Sequence, residues 1–230
     1  MLSVRQIDKR APSARSGNAV LRTSVALAAL LFVAPVSAQD QQEKQEQKPV
    51  SSHETAPVTA QETIVVLGDS NTGGYGVGPQ DSYPARLANK LQGYGRPVQV
   101  VNAGVFGDTL GGMASRVDTS VPLGTKLVIV QGGYNDLKQG VPAEESAANL
   151  EAILAKVHAR QARAVVCGFF DENWDALGRK LAARYGDTFV PGNTCYDPNY
   201  AGPDGLHMTA EGHEVVASRL ARVVEPAAQH

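Results

Sequence analysis

Cysteine is scarce in this chain, with two among 230 residues. Cys167 ends a predicted strand and Cys195 follows the next one, so both are expected at the same edge of a sheet. An even pair in an exported protein permits a disulfide, and we predict that the two are bridged. Two buried, inert thiols are the alternative. Because no pair of histidines accompanies the cysteines, a zinc site is not expected.

A hydrophobic run long enough to span a bilayer is also missing. The apolar run at residues 25–33 falls well short of the roughly 20 residues that a spanning helix needs. Five basic residues precede it, and Val36-Ser37-Ala38 supplies a small-residue end. This arrangement predicts a signal peptide over residues 1–38 and a periplasmic or secreted protein without a stable membrane span. An uncleaved anchor is the alternative.

Large apolar residues are almost absent from residues 39–61, which are rich in Gln, Glu, Lys, Pro and Ser. Such a segment cannot bury enough surface to offset its ordering entropy, so we predict a disordered spacer. Removal of residues 1–38 would take away five basic residues and one acidic residue, leaving a charge of about −6. This charge argues against nucleic acid and anionic membranes as partners. Residues 62–226 are long enough for one domain.

The domain shows no internal repeat, and apolar strands alternate with amphipathic helices along it. Short, β-branched segments predict strands at residues 64–67, 97–102, 126–131, 164–169 and 188–190. Helical spacing predicts helices at residues 83–94, 111–117, 144–160, within 174–185, and after the N-cap Thr209. Alternation with short loops predicts an α/β fold with a parallel, doubly wound sheet of about five strands.

Ser70 directly follows the first strand, where open α/β sheets bind their ligands. It is therefore a candidate nucleophile, and the chemistry requires a base and a group that orients the base. Asp204 precedes His207 by three residues in a Gly/Pro-rich loop after the fifth strand. An Asp at that spacing can bond one imidazole nitrogen and leave the other facing the serine.

Two further loops offer donors for an oxyanion. Gly107 lacks a Cβ, which lets its backbone N–H approach a substrate oxygen. Asn135 offers its side-chain amide, and the backbone N–H of Ser70 would be a third donor. Glycine and asparagine are also the residues that tight turns use, so either residue taken singly is explained by a turn.

The order and placement of these residues along the chain resemble those of the SGNH, or GDSL, hydrolases. The four matching blocks are Gly68-Asp69-Ser70, Asn102-Ala103-Gly104 with Gly107-Asp108-Thr109, Gly133-Tyr134-Asn135-Asp136, and Asp204-Gly205-Leu206-His207. Within that family the chain is most similar to the small bacterial arylesterase, acyl-thioesterase and lysophospholipase type. The resemblance implies a flavodoxin-like three-layer α/β/α sandwich and no metal or organic cofactor. It also implies a triad of Ser70, His207 and Asp204, and an oxyanion hole from Ser70, Gly107 and Asn135.

The chain departs from these relatives in the surroundings of the nucleophile. Asn71 stands where they usually have Leu, and Tyr134 fills a variable position where it would narrow an acyl pocket. Residues 169–204 form a shorter segment than in the relatives, which reduces the walls available to a long acyl chain. We therefore expect an exported serine esterase that hydrolyses short-acyl or aryl carboxylic esters, or thioesters, through an acyl-enzyme.

Three other interpretations remain open from the sequence. A carbohydrate O-acetylesterase, acting on an acylated saccharide, would use every one of the same catalytic residues. A flavodoxin-like ligand-binding module would use residues 70–74 as a phosphate loop, leaving Asn135, Asp204 and His207 without a role. A catalytically silent envelope-binding domain would retain the fold alone.

Two motif checks narrow the enzyme class. The α/β-hydrolase elbow Gly-x-Ser-x-Gly is absent because Thr72 occupies its last position. His213 is a competing base, but no Asp lies three residues before it and it falls inside the last predicted helix. Of the other polar residues, His158 is expected to be solvated, and Asp69 and Asp136 are expected to bond their own loops.

Overall fold

The sheet of this protein consists of five parallel strands. A computed structural model describes residues 61–169 and 171–225, so the predicted signal peptide and residues 39–60 of the predicted spacer lie outside the described residues. The strands are β1 (Glu62–Gly68), β2 (Val98–Gly104), β3 (Thr125–Gln131), β4 (Arg163–Cys167) and β5 (Thr188–Val190). They lie in the order β2-β1-β3-β4-β5, and every neighbouring pair is parallel. The predicted α/β fold and its doubly wound sheet are confirmed.

Helices connect the strands and close both faces of the sheet. They are α1 (Ser70–Gly73), α2 (Tyr83–Gly93), α3 (Leu110–Ser120), α4 (Tyr134–Lys138), α5 (Ala143–Ala159), α6 (Glu172–Tyr185), α7 (Gly192–Cys195) and α8 (Ala210–Val224). Thr109 caps α3 and Thr209 caps α8, each accepting a hydrogen bond from a backbone N–H of the first turn. The structure adds three short helices, α1, α4 and α7, that the hydrophobic periodicity did not predict.

The two faces of β1 bury alternate side chains in two separate cores. Ile64 and Val66 pack with the apolar faces of α2 and α8, whereas Val65 and Leu67 pack with α3 and α5. All four side chains are fully buried. A strand covered on both faces must be apolar at every position, which explains the unbroken run in the sequence.

The predicted disulfide joins Cys167 at the end of β4 to Cys195 at the end of α7. The prediction of a bridge is therefore confirmed. The two residues are separated by 28 positions. Closing a loop of that length in the unfolded chain stabilises the folded state by about 3 to 4 kcal/mol in the chain-entropy account. The bond also fixes α7 against the carboxyl edge of the sheet.

The loops after β1, β2 and β3 meet where the strand order reverses, the position at which open α/β sheets bind ligands. Close packing there depends on Gly104 at the end of β2. A Cβ on Gly104 would lie 2.1 Å from the backbone nitrogen of Gly73, so any other residue would push α1 away from β2. Among the helices that the structure describes, none combines the length and hydrophobicity needed to cross a bilayer.

Candidate active site

Ser70 is the first residue of α1, immediately beyond the end of β1. Asp69 caps this short helix, and its Oδ1 accepts a hydrogen bond of 2.9 Å from the backbone N–H of Asn71. Asp69 thus bonds its own segment, as expected, and that segment is a turn of helix. The sharp change from strand to helix holds Ser70 at the edge of the sheet, where 8% of it remains exposed.

Asp204 and His207 lie together in the loop before α8. Asp204 Oδ1 accepts from the backbone N–H groups of Leu206, at 3.0 Å, and of His207, at 2.9 Å. Asp204 Oδ2 is 2.6 Å from His207 Nδ1. A carboxylate can only accept, so Nδ1 carries the proton and Nε2 is left as an acceptor. The hydrogen bond from His207, followed by those from the backbone, lowers the pKa of Asp204 to about 2.

The imidazole of His207 reaches Ser70 across 137 positions of the chain. Its Nε2 lies 2.9 Å from Ser70 Oγ, within hydrogen-bonding distance. Ser70, His207 and Asp204 therefore form one continuous series of hydrogen bonds. A neutral imidazole so placed can take a proton from a hydroxyl while an ionised carboxylate stabilises the resulting cation.

Asn71 connects the helix that carries Ser70 to the segment that carries His207. Its Oδ1 accepts from the backbone N–H of Met208 at 3.1 Å, and its Nδ2 donates to the carbonyl of Leu206 at 3.5 Å. The carboxamide thereby contacts the residues on both sides of His207. The sequence showed Asn71 as a departure from the relatives but did not indicate this contact, which joins residues far apart in the chain.

Of the two predicted oxyanion residues outside α1, Gly107 lies in the loop after β2 and Asn135 lies in the first turn of α4. The two segments are bonded to each other. Gly107 has a φ of 76°, in the left-handed region that favours glycine. Asn135 Nδ2 donates to the carbonyl of Asp108, the residue that follows Gly107, at 2.8 Å. Since an amide group has two hydrogens, this bond orients Asn135 and leaves its second hydrogen for another acceptor.

Arg116, on α3, was not singled out from the sequence, yet it joins three segments of the site. Its Nη2 donates to the carbonyl of Gly68 at 3.0 Å, and its Nη1 donates to that of Ala103 at 2.9 Å. Its Nε contacts Asp108 Oδ2 at 2.7 Å. The rigid guanidinium fork suits such a junction. An isolated arginine inside a helix carries no sequence signal for this role.

A cluster of polar side chains is buried beneath α1. Thr72 Oγ1 donates to Gln131 Oε1 at 2.7 Å and therefore accepts from the hydroxyl of Tyr83, 2.5 Å away. Gln131 also hydrogen-bonds the side chain of Asp69. Burial raises the pKa of Asp69 to about 6, despite the opposing hydrogen bonds. The cluster fixes α1 to the end of β3, where Gln131 lies.

Two polar residues make contacts that the sequence did not predict. Asp136 bonds its own backbone, as expected, but its Oδ2 also accepts from the backbone N–H of Leu110 at 3.0 Å, and its Oδ1 accepts from Ser146 Oγ at 3.3 Å. It therefore joins α3 and α5 to α4, and its burial raises its pKa. His158 is not simply solvated, because its Nε2 lies 2.9 Å from Asp187 Oδ2. The contacts of Asp136 with Leu110 and of His158 with Asp187 join residues far apart in the chain, so no local sequence pattern indicates them.

His213 lies inside α8, as predicted, and takes no part in the series of hydrogen bonds at Ser70. It is fully buried, and its Nδ1 accepts from the backbone N–H of Tyr83 at 3.2 Å. Among the described residues its Nε2 has no hydrogen-bond partner. Burial lowers the pKa of His213 to about 4, so the ring is neutral near pH 7.

A cavity of about 370 Å³ is bordered by Asp69 and Asn71, the residues on either side of Ser70 in the chain. Its walls include Asn71, Tyr134, Phe169, Cys195, Tyr196 and Leu206. Tyr134 and Phe169 meet edge to face, with ring centroids 5.7 Å apart. In the part of the chain that the structure describes, no three His, Cys, Asp or Glu side chains group as metal ligands would.

Comparison with known proteins agrees with this geometry. The sequence model of the GDSL-like lipase/acylhydrolase family matches residues 66–215, which include Ser70, Asp204 and His207. The chain belongs to this family. It is accordingly a serine hydrolase of the SGNH/GDSL type that acts on carboxylic esters, and the family implies small-molecule ester substrates.

Relatives of this GDSL-family hydrolase are esterases and thioesterases. It is 26% identical over 192 residues to thioesterase 1/protease 1/lysophospholipase L1 of Escherichia coli, covering 76% of this chain and 89% of the relative. It is 26% identical over 181 residues to an arylesterase of Vibrio mimicus, covering 73% and 90%. These relatives favour the hydrolase over the ligand-binding module and the silent domain.

Solved structures that are similar to this GDSL-family hydrolase also include an esterase. AlinE4, an SGNH-hydrolase family esterase, is 30% identical, with a TM-score of 0.57 over 73% of this chain and 98% of its own. The crystal structure of TesA has a TM-score of 0.64 over 72% of this chain and 99% of its own. At 22% identity, TesA supports the fold alone.

Proposed function

We propose that this GDSL-family hydrolase is an exported esterase that cleaves short-acyl or aryl carboxylic esters, or thioesters, through an acyl-enzyme on Ser70. The observation that carries the proposal is the series Ser70 Oγ, His207 and Asp204, with separations of 2.9 and 2.6 Å. A serine hydroxyl is a weak nucleophile until a base removes its proton, and this series supplies the base and its orienting group.

Catalysis begins when His207 Nε2 takes the proton of Ser70 as Oγ attacks the carbonyl carbon of the ester. The oxyanion of the tetrahedral intermediate accepts hydrogen bonds from the backbone N–H groups of Ser70 and Gly107 and from the amide of Asn135. His207 then gives its proton to the leaving oxygen or sulfur, and the acyl-enzyme forms. Asp204 keeps Nδ1 protonated throughout.

The second half of the reaction repeats the first with water in place of the serine. His207 Nε2 takes a proton from a water molecule, whose oxygen attacks the acyl carbon. The second tetrahedral intermediate collapses when His207 returns the proton to Ser70 Oγ, releasing the carboxylic acid. No redox step or additional reactant is required.

The preference for short acyl groups is supported by the cavity that Asp69 and Asn71 border. Its volume of about 370 Å³ and the paired rings of Tyr134 and Phe169 favour a compact acyl group. Rates with p-nitrophenyl acetate, butyrate and palmitate measure this preference. Acetate or butyrate should be the best substrate, and a maximum at palmitate would contradict the assignment.

Export is part of the same proposal. We assign residues 1–38 as a cleaved signal peptide, 39–61 as a spacer, and 62–226 as the catalytic domain. The disulfide between Cys167 and Cys195 supports an oxidising compartment, the periplasm or the medium. Mass spectrometry of the protein recovered from the periplasm should give a mature chain that begins at Gln39. Recovery of the uncleaved chain in the membrane fraction would contradict it.

A covalent serine probe tests the central claim. A fluorophosphonate should label the wild-type protein on Ser70, and peptide mapping should find the adduct on that residue. Ser70→Ala should abolish labelling while leaving the unfolding midpoint unchanged. Labelling of Ser70→Ala at the wild-type rate would refute Ser70 as the nucleophile.

A further inference from the structure

Two aromatic side chains next to His207 are exposed to solvent. Tyr75 is 46% exposed and Phe106 is 58% exposed. Their ring centroids lie 5.3 Å apart in an edge-to-face arrangement, and the Tyr75 ring lies 4.1 Å from that of His207. We call Tyr75 and Phe106 the aromatic shelf. Val105, which adjoins it in the chain, is 46% exposed and extends the apolar surface.

The aromatic shelf is held against the helix that carries the nucleophile. The backbone N–H of Tyr75 donates to the carbonyl of Ser70 at 3.0 Å. Phe106 covers Gly73, since a Cβ on that glycine would lie 2.5 Å from Phe106 Cε1. Phe106 also directly precedes Gly107. The shelf therefore extends from the imidazole of His207 to the loop that we assign to the oxyanion hole.

The shelf and the cavity lie against different residues of the site. The cavity borders Asn71, Tyr134 and Leu206, and neither His207 nor the shelf is among its lining residues. A wider depression of about 520 Å³ borders Tyr75 and His207 instead. In the proposed reaction, the leaving oxygen must come within hydrogen-bonding reach of His207 Nε2. An ester whose acyl group enters the cavity thus directs its alcohol portion toward His207 and the shelf.

We propose that the aromatic shelf binds the ring of an aromatic leaving alcohol, and that Phe106 is a specificity-determining residue for aryl esters. The inference rests on the proposed function, because it needs the acyl transfer to Ser70. An aromatic ring placed on the shelf gains edge-to-face or offset contacts that an alkyl group of similar size cannot make. Tyr75 also contacts His207, so Phe106 is the residue that can be changed without touching the imidazole.

The test compares two esters that share an acyl group. Phenyl acetate is paired with a fluorinated alkyl acetate whose alcohol is about as acidic as phenol, so leaving-group reactivity is matched. Phe106→Ala should lower kcat/KM for phenyl acetate about fivefold more than for the alkyl ester, the size of effect expected for one aromatic contact. Phe106→Leu, which keeps apolar bulk, should behave like Phe106→Ala, and Phe106→Tyr should restore the wild-type ratio.

Two controls separate recognition of the leaving group from other roles of Phe106. The acetyl-enzyme is the same for both esters and no longer carries the leaving alcohol, so a residue that contacts only that alcohol should leave the rate of its hydrolysis unchanged in Phe106→Ala. Leu123→Ala alters an apolar side chain that is 86% exposed and should leave the ratio of the two esters unchanged. Equal losses for both esters would show that Phe106 only positions the site, and no loss with either ester would show that it has no role; either result overturns the proposal. Absence of Ser70-dependent turnover of both esters in the wild type would instead refute the proposed function.

Discussion

His207 and His213 lie six positions apart, yet their surroundings differ in every respect that matters for proton transfer. His207 lies in a loop at the edge of the sheet, with Asp204 on Nδ1 and Ser70 on Nε2. His213 lies fully buried in α8, where Nδ1 accepts from a backbone N–H. That contact leaves the proton on Nε2, which faces no acceptor among the described residues.

The difference shows which surroundings suit a histidine to act as a base. A base for acyl transfer needs a free nitrogen lone pair facing the nucleophile and a carboxylate that stabilises the cation. Asp204 meets the second need for His207, whereas burial opposes any cation at His213 and lowers its pKa to about 4. The residue type is the same, and the protein around it decides whether a proton can be held.

The largest expected effect comes from replacing the two histidines one at a time. His207→Ala should lower kcat about 10⁴-fold or more, because Ser70 then has no base. His213→Asn keeps an acceptor for the Tyr83 N–H and should change kcat by no more than about twofold. Steady-state kinetics with p-nitrophenyl butyrate measures both, with circular dichroism as the check on folding. A comparable loss in the two variants would remove the distinction between the histidines.

Asn135→Ala should have the next largest effect. Loss of one oxyanion donor costs about 2.7 to 4 kcal/mol of transition-state stabilisation, or about 10²- to 10³-fold in kcat. The substitution also removes the hydrogen bond to the Asp108 carbonyl. Covalent labelling by a fluorophosphonate should slow with kcat, while KM for the ester should change little. A rise in KM at constant kcat would assign Asn135 to substrate binding instead.

At acidic pH we expect His213 to change the stability of the protein rather than its activity. The pKa of His213 is about 4 in the folded protein and near 6.5 in the unfolded chain. Between these values the unfolded chain binds the extra proton, so stability falls as pH decreases from about 7 to 4. The contribution is about 3 kcal/mol.

Urea unfolding at pH 7 and pH 4, for wild type and His213→Asn, measures this contribution. The variant should lose about 3 kcal/mol less than the wild type over that range, because Asn does not titrate. All other titrating groups are common to the two proteins and cancel in the difference. Identical pH dependence would mean that His213 takes up its proton without unfolding.

Asn71→Leu introduces the residue usual in the relatives and should have the smallest effect. It removes the two hydrogen bonds that hold the residues on either side of His207, each worth about 1 kcal/mol. We expect kcat/KM to fall about tenfold with a small change in the urea midpoint. Asn71→Asp, which retains an acceptor for the Met208 N–H, should recover part of the loss. Wild-type activity in Asn71→Leu would show that the loop positions His207 unaided.

Much of the candidate site could be predicted because its polar residues follow the ends of strands. Ser70 lies just beyond β1 and Asn135 just beyond β3, and the carboxyl ends of parallel strands meet at one edge. Arg116, by contrast, lies in the middle of α3 and contacts Gly68 and Asp108 from there. Nothing in its local sequence distinguishes it from an arginine on a solvated helix face.

The sequence by itself determined the order of the five strands and the longer helices, the four motif blocks and the pair of cysteines. These features are local, since apolar periodicity, turn residues and short motifs act over a few positions of the chain. Only the tertiary structure decided which polar atoms meet: Asn71 with the residues around His207, Tyr83 with Thr72, and His158 with Asp187. Such contacts join residues up to 137 positions apart, and their geometry depends on how the two cores pack against the sheet.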